Sequence, residues 1–376
     1  MAIKNFLFSF KKILFFIFYC VLIFSHTGWG CGENSKQKTQ SSNQGVKKTS
    51  KSTLPNNQTS SQGYEKLRIA KKISNPAVID AIKALESNTR KNLYLNKKQI
   101  TDAEVKYILE ALENNTTLTS LSLGNNQITV AGVKHIAKAL KNNTKLLSLD
   151  LRGNQIKDDG IVVLADALKT NKKLKNLHVS ENQIQDAGII ALAQALKINA
   201  TLTYLDLCSN QIKDAGVKHI AKALETNATL KCLFLVKNQI QNAGIIALAQ
   251  ALEINKDIKL THLYVSENQI QDNGIIALAK ALKKLEFLNL SDNQIQNRGT
   301  IALAEALKIN ETLTFLDLSG NQIQDAGATD LAKALENNTN TKLTFLDLTN
   351  NQINENTQKT LSSNPVIQFN FQKFQF

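Results

Sequence analysis

The sequence predicts an α/β solenoid in which one strand–helix unit is repeated about ten times. The tripeptide NQI recurs nine times at steps of 25 to 30 residues, most often 28, and a KQI copy begins at Lys98. Two longer stretches are near-copies, SENQIQDAGIIALAQAL at 180–196 and SENQIQDNGIIALAKAL at 266–282. A fixed period of this length is typical of stacked repeats. The NQI copies begin at Asn126, Asn154, Asn182, Asn210, Asn238, Asn268, Asn293, Asn321 and Asn351.

Each unit reads LxxLxLxxNxI, then xxxGxxxLAxAL, then a polar turn. Alternation, as at Leu149 and Leu151, predicts a short strand with one buried face. The apolar residues of the second part are spaced three and four apart, which predicts one buried face of a helix. The Asn of NQI follows the strand into a turn, where its amide can donate and accept across neighbouring units. We therefore expect an asparagine ladder along the stack.

Two other repeated residues predict the ends of the helices. An Asp two residues before the repeated Gly can cap the N–H groups of the helix that it begins. An Asn three residues after the last Leu can take the left-handed conformation that ends a helix. The Asp residues are Asp158, Asp186, Asp214, Asp272 and Asp325. The Asn residues are Asn143, Asn171, Asn199, Asn227, Asn255, Asn310 and Asn338.

The repeated pattern LxxLxLxxNxI resembles the leucine-rich repeats of the ribonuclease-inhibitor type, and the resemblance covers Leu93 to Ile353. It implies an α/β leucine-rich-repeat solenoid, or horseshoe, of about ten repeats. Parallel strands would line the concave face and helices the convex face. Parallel strands joined by crossover helices are also what repeated strand–helix units favour.

The ends of the repeat array differ from its middle. The first unit has Glu104 where the others have Gly, and Asn75–Ser87 predicts an amphipathic capping helix. The segment Lys283–Phe287 lacks three residues of the period, which predicts a local irregularity. After Ile353, the pattern predicts a closing helix over Glu355–Ser362 and a final strand in the alternating tail. Such caps cover apolar surface at the ends of a solenoid.

The sequence before the repeats divides into a targeting segment and a polar tether. Residues 1–30 have the basic, apolar and small-residue order of a secretory signal. An uncleaved anchor is the alternative, although the unbroken apolar run of 12 residues at 13–24 is short for a bilayer span of about 20. Residues 31–63 are rich in Ser, Gln, Asn and Lys and are expected to be disordered. The predicted domains are 1–30 signal, 31–63 tether, 64–90 N-terminal cap, 91–353 repeats and 354–376 C-terminal cap.

Cys31 directly follows the predicted signal and resembles the lipid-acceptor cysteine of bacterial lipoproteins. Gly28 and Trp29 stand where that motif prefers Leu and a small residue, so ordinary cleavage that leaves a spare thiol is the alternative. We expect an exported chain that is secreted or held at a membrane by a lipid or signal anchor alone. The other two cysteines of the mature chain, Cys208 and Cys232, lie four strand positions out of register and are expected to be free thiols.

Charge and motifs exclude several classes of function. The formal charge is +14, but residues 1–100 contribute 17 basic and 4 acidic residues, and residues 101–376 contribute 28 and 27. The repeats therefore lack the concentrated basic surface that nucleic acid requires. No nucleophile elbow, phosphate-binding loop or zinc-protease motif occurs. We predict no catalytic residue, no metal and no cofactor.

The variable strand positions are the place where a partner can bind. Two positions per unit, directly before and after the second Leu, are expected to face outward, and from Tyr204 onward aromatic residues dominate there. Exposed rings on a rigid surface are typical of binding hot spots. The alternative is that the rings only pack on their strand neighbours. The predicted partner-binding residues are Tyr204, Asp206, Phe234, His262, Tyr264, Phe287, Phe315, Asp317, Phe345 and Asp347.

The sequence therefore predicts a monomeric, non-enzymatic module that binds a partner protein on the concave face. One form of this hypothesis has a host protein as the partner. The alternative is a regulator of a host enzyme, either a GTPase activator or an adaptor in the ubiquitin pathway. Only 23 residues follow Ile353, so a ubiquitin-ligase domain does not fit after the repeats.

Overall fold

Ten strand–helix units follow one another in the computed structural model, which describes residues 73–368. An eleventh strand and a leading helix complete the described part. The strands are β1 (Asn92–Tyr94), β2 (Ser120–Ser122), β3 (Ser148–Asp150), β4 (Asn176–His178), β5 (Tyr204–Asp206), β6 (Cys232–Phe234), β7 (His262–Tyr264), β8 (Phe287–Asn289), β9 (Phe315–Asp317), β10 (Phe345–Asp347) and β11 (Ile367–Gln368). The predicted signal, the tether, Cys31 and the beginning of the predicted N-terminal cap lie outside the described residues.

Each strand of β1 to β10 is followed by one helix, and α1 precedes β1. The helices are α1 (Pro76–Glu86), α2 (Asp102–Glu113), α3 (Val130–Asn142), α4 (Lys157–Thr170), α5 (Asp186–Leu196), α6 (Asp214–Leu224), α7 (Asn242–Ile254), α8 (Asp272–Ala281), α9 (Asn297–Leu307), α10 (Asp325–Asn337) and α11 (Glu355–Leu361). The predicted capping and closing helices are confirmed as α1 and α11. No helix within residues 73–368 has both the length and the apolar character to cross a membrane.

The strands form one parallel sheet in sequence order, which confirms the predicted α/β solenoid. The middle leucines of neighbouring strands lie opposite one another, for example Leu205 and Leu233, and in β1 to β10 none is more than 2% exposed. Strands are about 4.8 Å apart, whereas packed helices are about 8–10 Å apart. The sheet therefore lines the shorter, concave side, and the helices occupy the convex side.

The asparagine ladder is confirmed by the amide of Asn210. Its Nδ2 donates to the carbonyls of Leu207 at 3.0 Å and of Val179 at 3.2 Å, and Val179 belongs to the preceding repeat. Its Oδ1 accepts from the N–H groups of Asn182 and Ile184, each at 3.0 Å. One buried side chain thus satisfies backbone groups of two repeats and fixes their stacking.

The predicted left-handed helix ends are wrong. None of the seven asparagines has a positive φ, and Asn171 is extended at φ −69° and ψ 123°. Its side chain instead donates to the carbonyl of Leu140, in the preceding helix, at 2.7 Å, and accepts from the N–H groups of Lys173 and Leu174. The side chain rather than the backbone conformation satisfies the helix end, and the result is a second asparagine ladder.

The repeated Asp residues cap helices, but the predicted helix is wrong. Asp186 lies at the start of α5, and its Oδ1 accepts from the N–H groups of Lys213 and Gly216 in the next repeat at 2.8 and 2.9 Å. The side chain points along the stack, so each Asp caps the helix of the following unit. The same contact is made by Asp158 with Gln185, Asp214 with Gln241, Asp272 with Gln296 and Asp325 with Asn354.

The repeated glycine leaves room for this cap. A Cβ at Gly216 would lie 2.5 Å from the Asp186 Oδ1, closer than any normal contact. The first repeat has no preceding Asp, and there Glu104 accepts a hydrogen bond from the Thr101 N–H at 2.9 Å. The exception at Glu104 therefore follows from its place at the end of the stack.

The shortened repeat and the tail change local geometry only. A 3₁₀ turn at Leu282–Lys284 joins α8 to β8, and the sheet register continues with His262 opposite Phe287. The tail forms β11, with Ile367 opposite Leu346, in agreement with the predicted final strand. Residues 369–376 of that predicted strand lie outside the described residues.

Candidate functional site

The predicted partner-binding residues lie on β5 to β10, on the outward face of the sheet. The middle leucine of each strand points into the core, so the residues directly before and after it point away from the helices. We call these the first and second outward positions. All ten predicted side chains occupy them. Most are half-buried, whereas Tyr264 is 8% exposed and Asp347 is 2% exposed.

The aromatic side chains form one continuous row, the aromatic ridge, across six strands. The ridge consists of Tyr204, Phe234, Tyr264, Phe287, Phe315 and Phe345. Successive ring centroids along it are 4.7, 4.0, 4.7, 4.0 and 4.6 Å apart. The rings of this face therefore support one another as cross-strand pairs, which holds them in fixed orientations.

The ridge moves between the two outward positions along its length. Tyr204 occupies the first position, Phe234 and Tyr264 the second, and the remaining three rings the first again. At the two steps where the position changes, from Tyr204 to Phe234 and from Tyr264 to Phe287, the rings are diagonal neighbours and still contact each other, with centroids 4.7 Å apart. A row that looks discontinuous in the sequence is thus continuous in the sheet.

Two histidines extend the ridge. The His178 ring lies 4.7 Å from Tyr204, and His262 stacks 5.8 Å from Phe287. His178 is absent from the predicted site, although its second outward position on β4 could have identified it. Asn289 was also missed; its amide donates to Asp317 Oδ2 at 3.1 Å.

The carboxylate of Asp206 has several hydrogen-bonding neighbours. It accepts from the Ser180 hydroxyl and the Cys208 N–H, each at 3.0 Å, and lies 3.5 Å from His178 Nδ1. Burial acts to raise the pKa of Asp206, but the hydrogen bond and charge of His178 and the donors of Cys208 outweigh it, so the pKa lies below its ordinary value. This carboxylate is therefore held in its charged form.

Asp317 and Asp347 are in a different environment. Burial raises the pKa of each carboxyl above its ordinary value, and the neighbouring charges of Asp347 and Asp292 raise that of Asp317 further. Hydrogen bonds from Ser319 and Thr349 act in the opposite direction without reversing the shift. Negative charge at this pair is thus unfavourable in the free protein.

Within residues 73–368 this face has no disulfide and no cluster of metal ligands. Neither Cys208 nor Cys232 is in a disulfide, in agreement with the prediction, and burial raises the pKa of Cys208 well above its ordinary value. A neutral thiol is a poor nucleophile. Within the same residues no three His, Cys, Asp or Glu side chains are grouped closely enough to hold a metal ion.

Comparison with solved structures gives likenesses of low identity. An internalin from Listeria monocytogenes is 22% identical, covers 82% of this chain and 95% of its own, and has a TM-score of 0.41. Actin-binding site 2 of leiomodin-1 is 22% identical over 48% of this chain and 89% of its own, with a TM-score of 0.32. The tropomodulin C-terminal domain of Caenorhabditis elegans is 15% identical over 40% and 92%, with a TM-score of 0.35. A search of curated protein sequences gave no significant match.

Family models match five stretches of the repeats. The leucine-rich domain of tropomodulin and leiomodin matches residues 125–217, and a two-copy leucine-rich-repeat model matches 258–299. A single-repeat model matches 226–249, 310–332 and 339–355. None of these is a catalytic family, and leucine-rich repeats are in general scaffolds for protein interaction. The ribonuclease-inhibitor type stays a prediction. With its parallel sheet of stacked strand–helix units, the chain is a leucine-rich-repeat protein.

Proposed function

We propose that this chain is a non-enzymatic module that binds a partner protein on its concave face, at the aromatic ridge. The observation that carries the proposal is the continuous row of rings on the outward face of β5 to β10, of which all but the buried Tyr264 are half-buried. Rings that are already held in place lose little side-chain entropy on binding. Large rigid aromatics of this kind supply much of the binding free energy of protein interfaces.

The first half of the sheet differs from the ridge. Its outward positions on β2 and β3 hold Ser120, Ser122, Ser148 and Asp150, which are small or polar. Among β1 to β4, the only Phe, Tyr or Trp side chain is that of Tyr94 on β1. It is 63% exposed and is remote from the ridge. The apolar contact area is thus concentrated in the C-terminal half.

Replacing Phe315 and Phe345 together with alanine is expected to reduce partner capture at least about tenfold, since the loss of two large rings removes hot-spot contacts. The measurement uses the immobilised full chain and quantifies proteins captured from a host-cell lysate by mass spectrometry. Tyr94→Ala is the control, because it removes an exposed ring of the same sheet outside the ridge. If circular dichroism shows that both proteins are folded and they capture equal amounts of partner, the result would contradict the proposal.

We further propose that the chain is exported and held at a membrane through a lipid on Cys31. The support is the position of this cysteine directly after a signal-like segment and before a polar, lysine-rich stretch. In a bacterial host fed radiolabelled palmitate, the full chain is expected to carry label. Cys31→Ser should abolish the label, and Cys20→Ser, within the apolar run, should retain it. Undiminished label in Cys31→Ser would contradict lipidation at this residue.

A further inference from the structure

Acidic side chains on the outward face of β3 and β5 have basic side chains beside them. Asp150 lies 2.8 Å from Arg152 Nη2, and both side chains are mostly buried. Asp206 lies 3.5 Å from His178 Nδ1. The charge of Asp150 is therefore compensated within the protein, and Asp206 has the imidazole of His178 beside it.

The last two acidic side chains of the face have no such compensation. Asp317 accepts from the Ser319 N–H and hydroxyl and from the Asn289 amide, and Asp347 accepts from the Thr349 N–H. These partners are all neutral. Neither carboxylate forms an ion pair with any residue in the range 73–368.

The surrounding sequence has the same character. The strand and turn segments 285–292, 313–320 and 343–350 contain no Lys, Arg or His. They contain four acidic residues: Glu286, Asp292, Asp317 and Asp347. Within the described residues, the ridge therefore ends beside acidic side chains that form no ion pair, although the repeats as a whole are nearly neutral.

The rings and carboxylates make a two-by-two array. Phe315 and Phe345 are stacked, with ring centroids 4.6 Å apart, and Asp317 lies opposite Asp347 in the register of the sheet. Ring and carboxylate on one strand are two residues apart, or about 7 Å along the strand. An apolar strip and an anionic strip thus run side by side across β9 and β10.

We propose that this array binds a basic segment of the partner, with Arg or Lys side chains lying across the rings and their charged groups at the half-buried Asp317. Asp347, which is 2% exposed, contributes its negative charge from beneath the surface. The inference rests on the proposed function, because it names the chemistry of the partner at the same face.

Long basic side chains fit both strips. Their methylene stems cover apolar surface while the charged end reaches a polar group, and the stem spans roughly the 7 Å between ring and carboxylate. The stacked rings present their edges outward, which suits a stem rather than a cation above a ring face. A guanidinium can also bind two carboxylate oxygens at once. The raised pKa values of both carboxyls agree with this role, because an arriving cation relieves the unfavourable charge.

The test measures fluorescence anisotropy of a labelled peptide with four Arg–Ser repeats, titrated with the full chain. A second peptide replaces each arginine with citrulline, which keeps the stem and removes the charge. We expect the arginine peptide to bind at least about tenfold more tightly than the citrulline peptide. We expect the double variant Asp317→Asn with Asp347→Asn to bind the arginine peptide at least about tenfold more weakly than the wild type.

A matched control removes two charges elsewhere. Glu311→Gln with Glu336→Gln changes the net charge equally at exposed positions away from the strands, and should leave the affinity unchanged. Equal binding of the two peptides, or unchanged binding by the Asp317 and Asp347 variant, would overturn the basic-segment proposal. In that case, loss of partner capture by the Phe315 and Phe345 variant would still support the proposed function. Retained capture would overturn that proposal as well.

The chain's own lysine-rich stretch is the competing occupant. Residues 36–51 contain five lysines. A full chain with Lys36, Lys38, Lys47, Lys48 and Lys51 changed to Gln should bind the arginine peptide as the wild type does. If this variant bound the arginine peptide at least about tenfold more tightly than the wild type, the lysines of residues 36–51 would be the occupant of the array. That result would overturn the proposal that a partner's basic segment binds there.

Discussion

Replacing Asn210 with alanine is expected to lower the free energy of unfolding by about 3–5 kcal/mol. The Oδ1 of Asn210 accepts from two buried backbone N–H groups, those of Asn182 and Ile184. Each buried donor left without an acceptor costs about 1–3 kcal/mol. The Nδ2 bond to Val179 in the preceding repeat is lost as well. The measurement is urea unfolding of the full chain, followed by circular dichroism.

Gln211→Ala is the matched control for Asn210→Ala. Gln211 is the next residue, is exposed, and accepts one side-chain hydrogen bond from Gln185 at 3.3 Å. Its removal should change the free energy of unfolding by less than about 0.5 kcal/mol, as is usual for surface positions. If the two variants had equal midpoints of unfolding, the ladder would not be a main source of stability.

Replacing Gly216 with valine is expected to destabilise the protein by about 3 kcal/mol or more. The new Cβ would lie 2.5 Å from Asp186 Oδ1 and 3.2 Å from Ile212 Cγ2. Relief of this overlap requires the Asp186 side chain to rotate away or α6 to move away from α5, and overpacking of this kind costs about 1–3 kcal/mol. The cap that Asp186 provides to the Gly216 N–H would also be lost, which adds about 1 kcal/mol.

Ala215→Val separates overlap from helix propensity. Ala215 directly precedes Gly216 in α6 but is exposed, so a β-branched side chain there has only a propensity effect of a few tenths of a kcal/mol. Thermal unfolding of both variants of the full chain gives the comparison. A Gly216→Val protein as stable as Ala215→Val would show that close helix approach is not what the repeated glycine provides.

The sequence was sufficient for the repeat unit because its signals are local. Leu149 and Leu151 alternate along one strand, and the apolar residues of each helix recur within one or two turns. The outward positions followed from the same alternation, so the ten candidate residues could be placed on one face. Asn210 was correctly assigned to a ladder, because a buried amide at a repeated turn has to satisfy neighbouring backbone groups.

Interpretation of single repeated residues failed where the partner belonged to another unit. Asp186 suited a cap of its own helix, and Asn171 suited a left-handed helix end, but each side chain instead serves an adjacent repeat. The contact residues, Gly216 and Leu140, lie 30 and 31 residues away. Sequence spacing alone does not show whether a polar side chain points back to its own turn or along the stack.

The sequence by itself determined the unit, its number of copies, the buried and outward positions, and the place where aromatic residues replace small polar ones. The tertiary structure decided how these pieces meet. It joined rings from both outward positions into one ridge, and it placed Asp317 beside Asp347 with no ion-pair partner among residues 73–368. The physical reason is that alternation fixes which face a side chain occupies. The side chain's neighbours depend on the register of strands that lie a whole repeat apart in the chain.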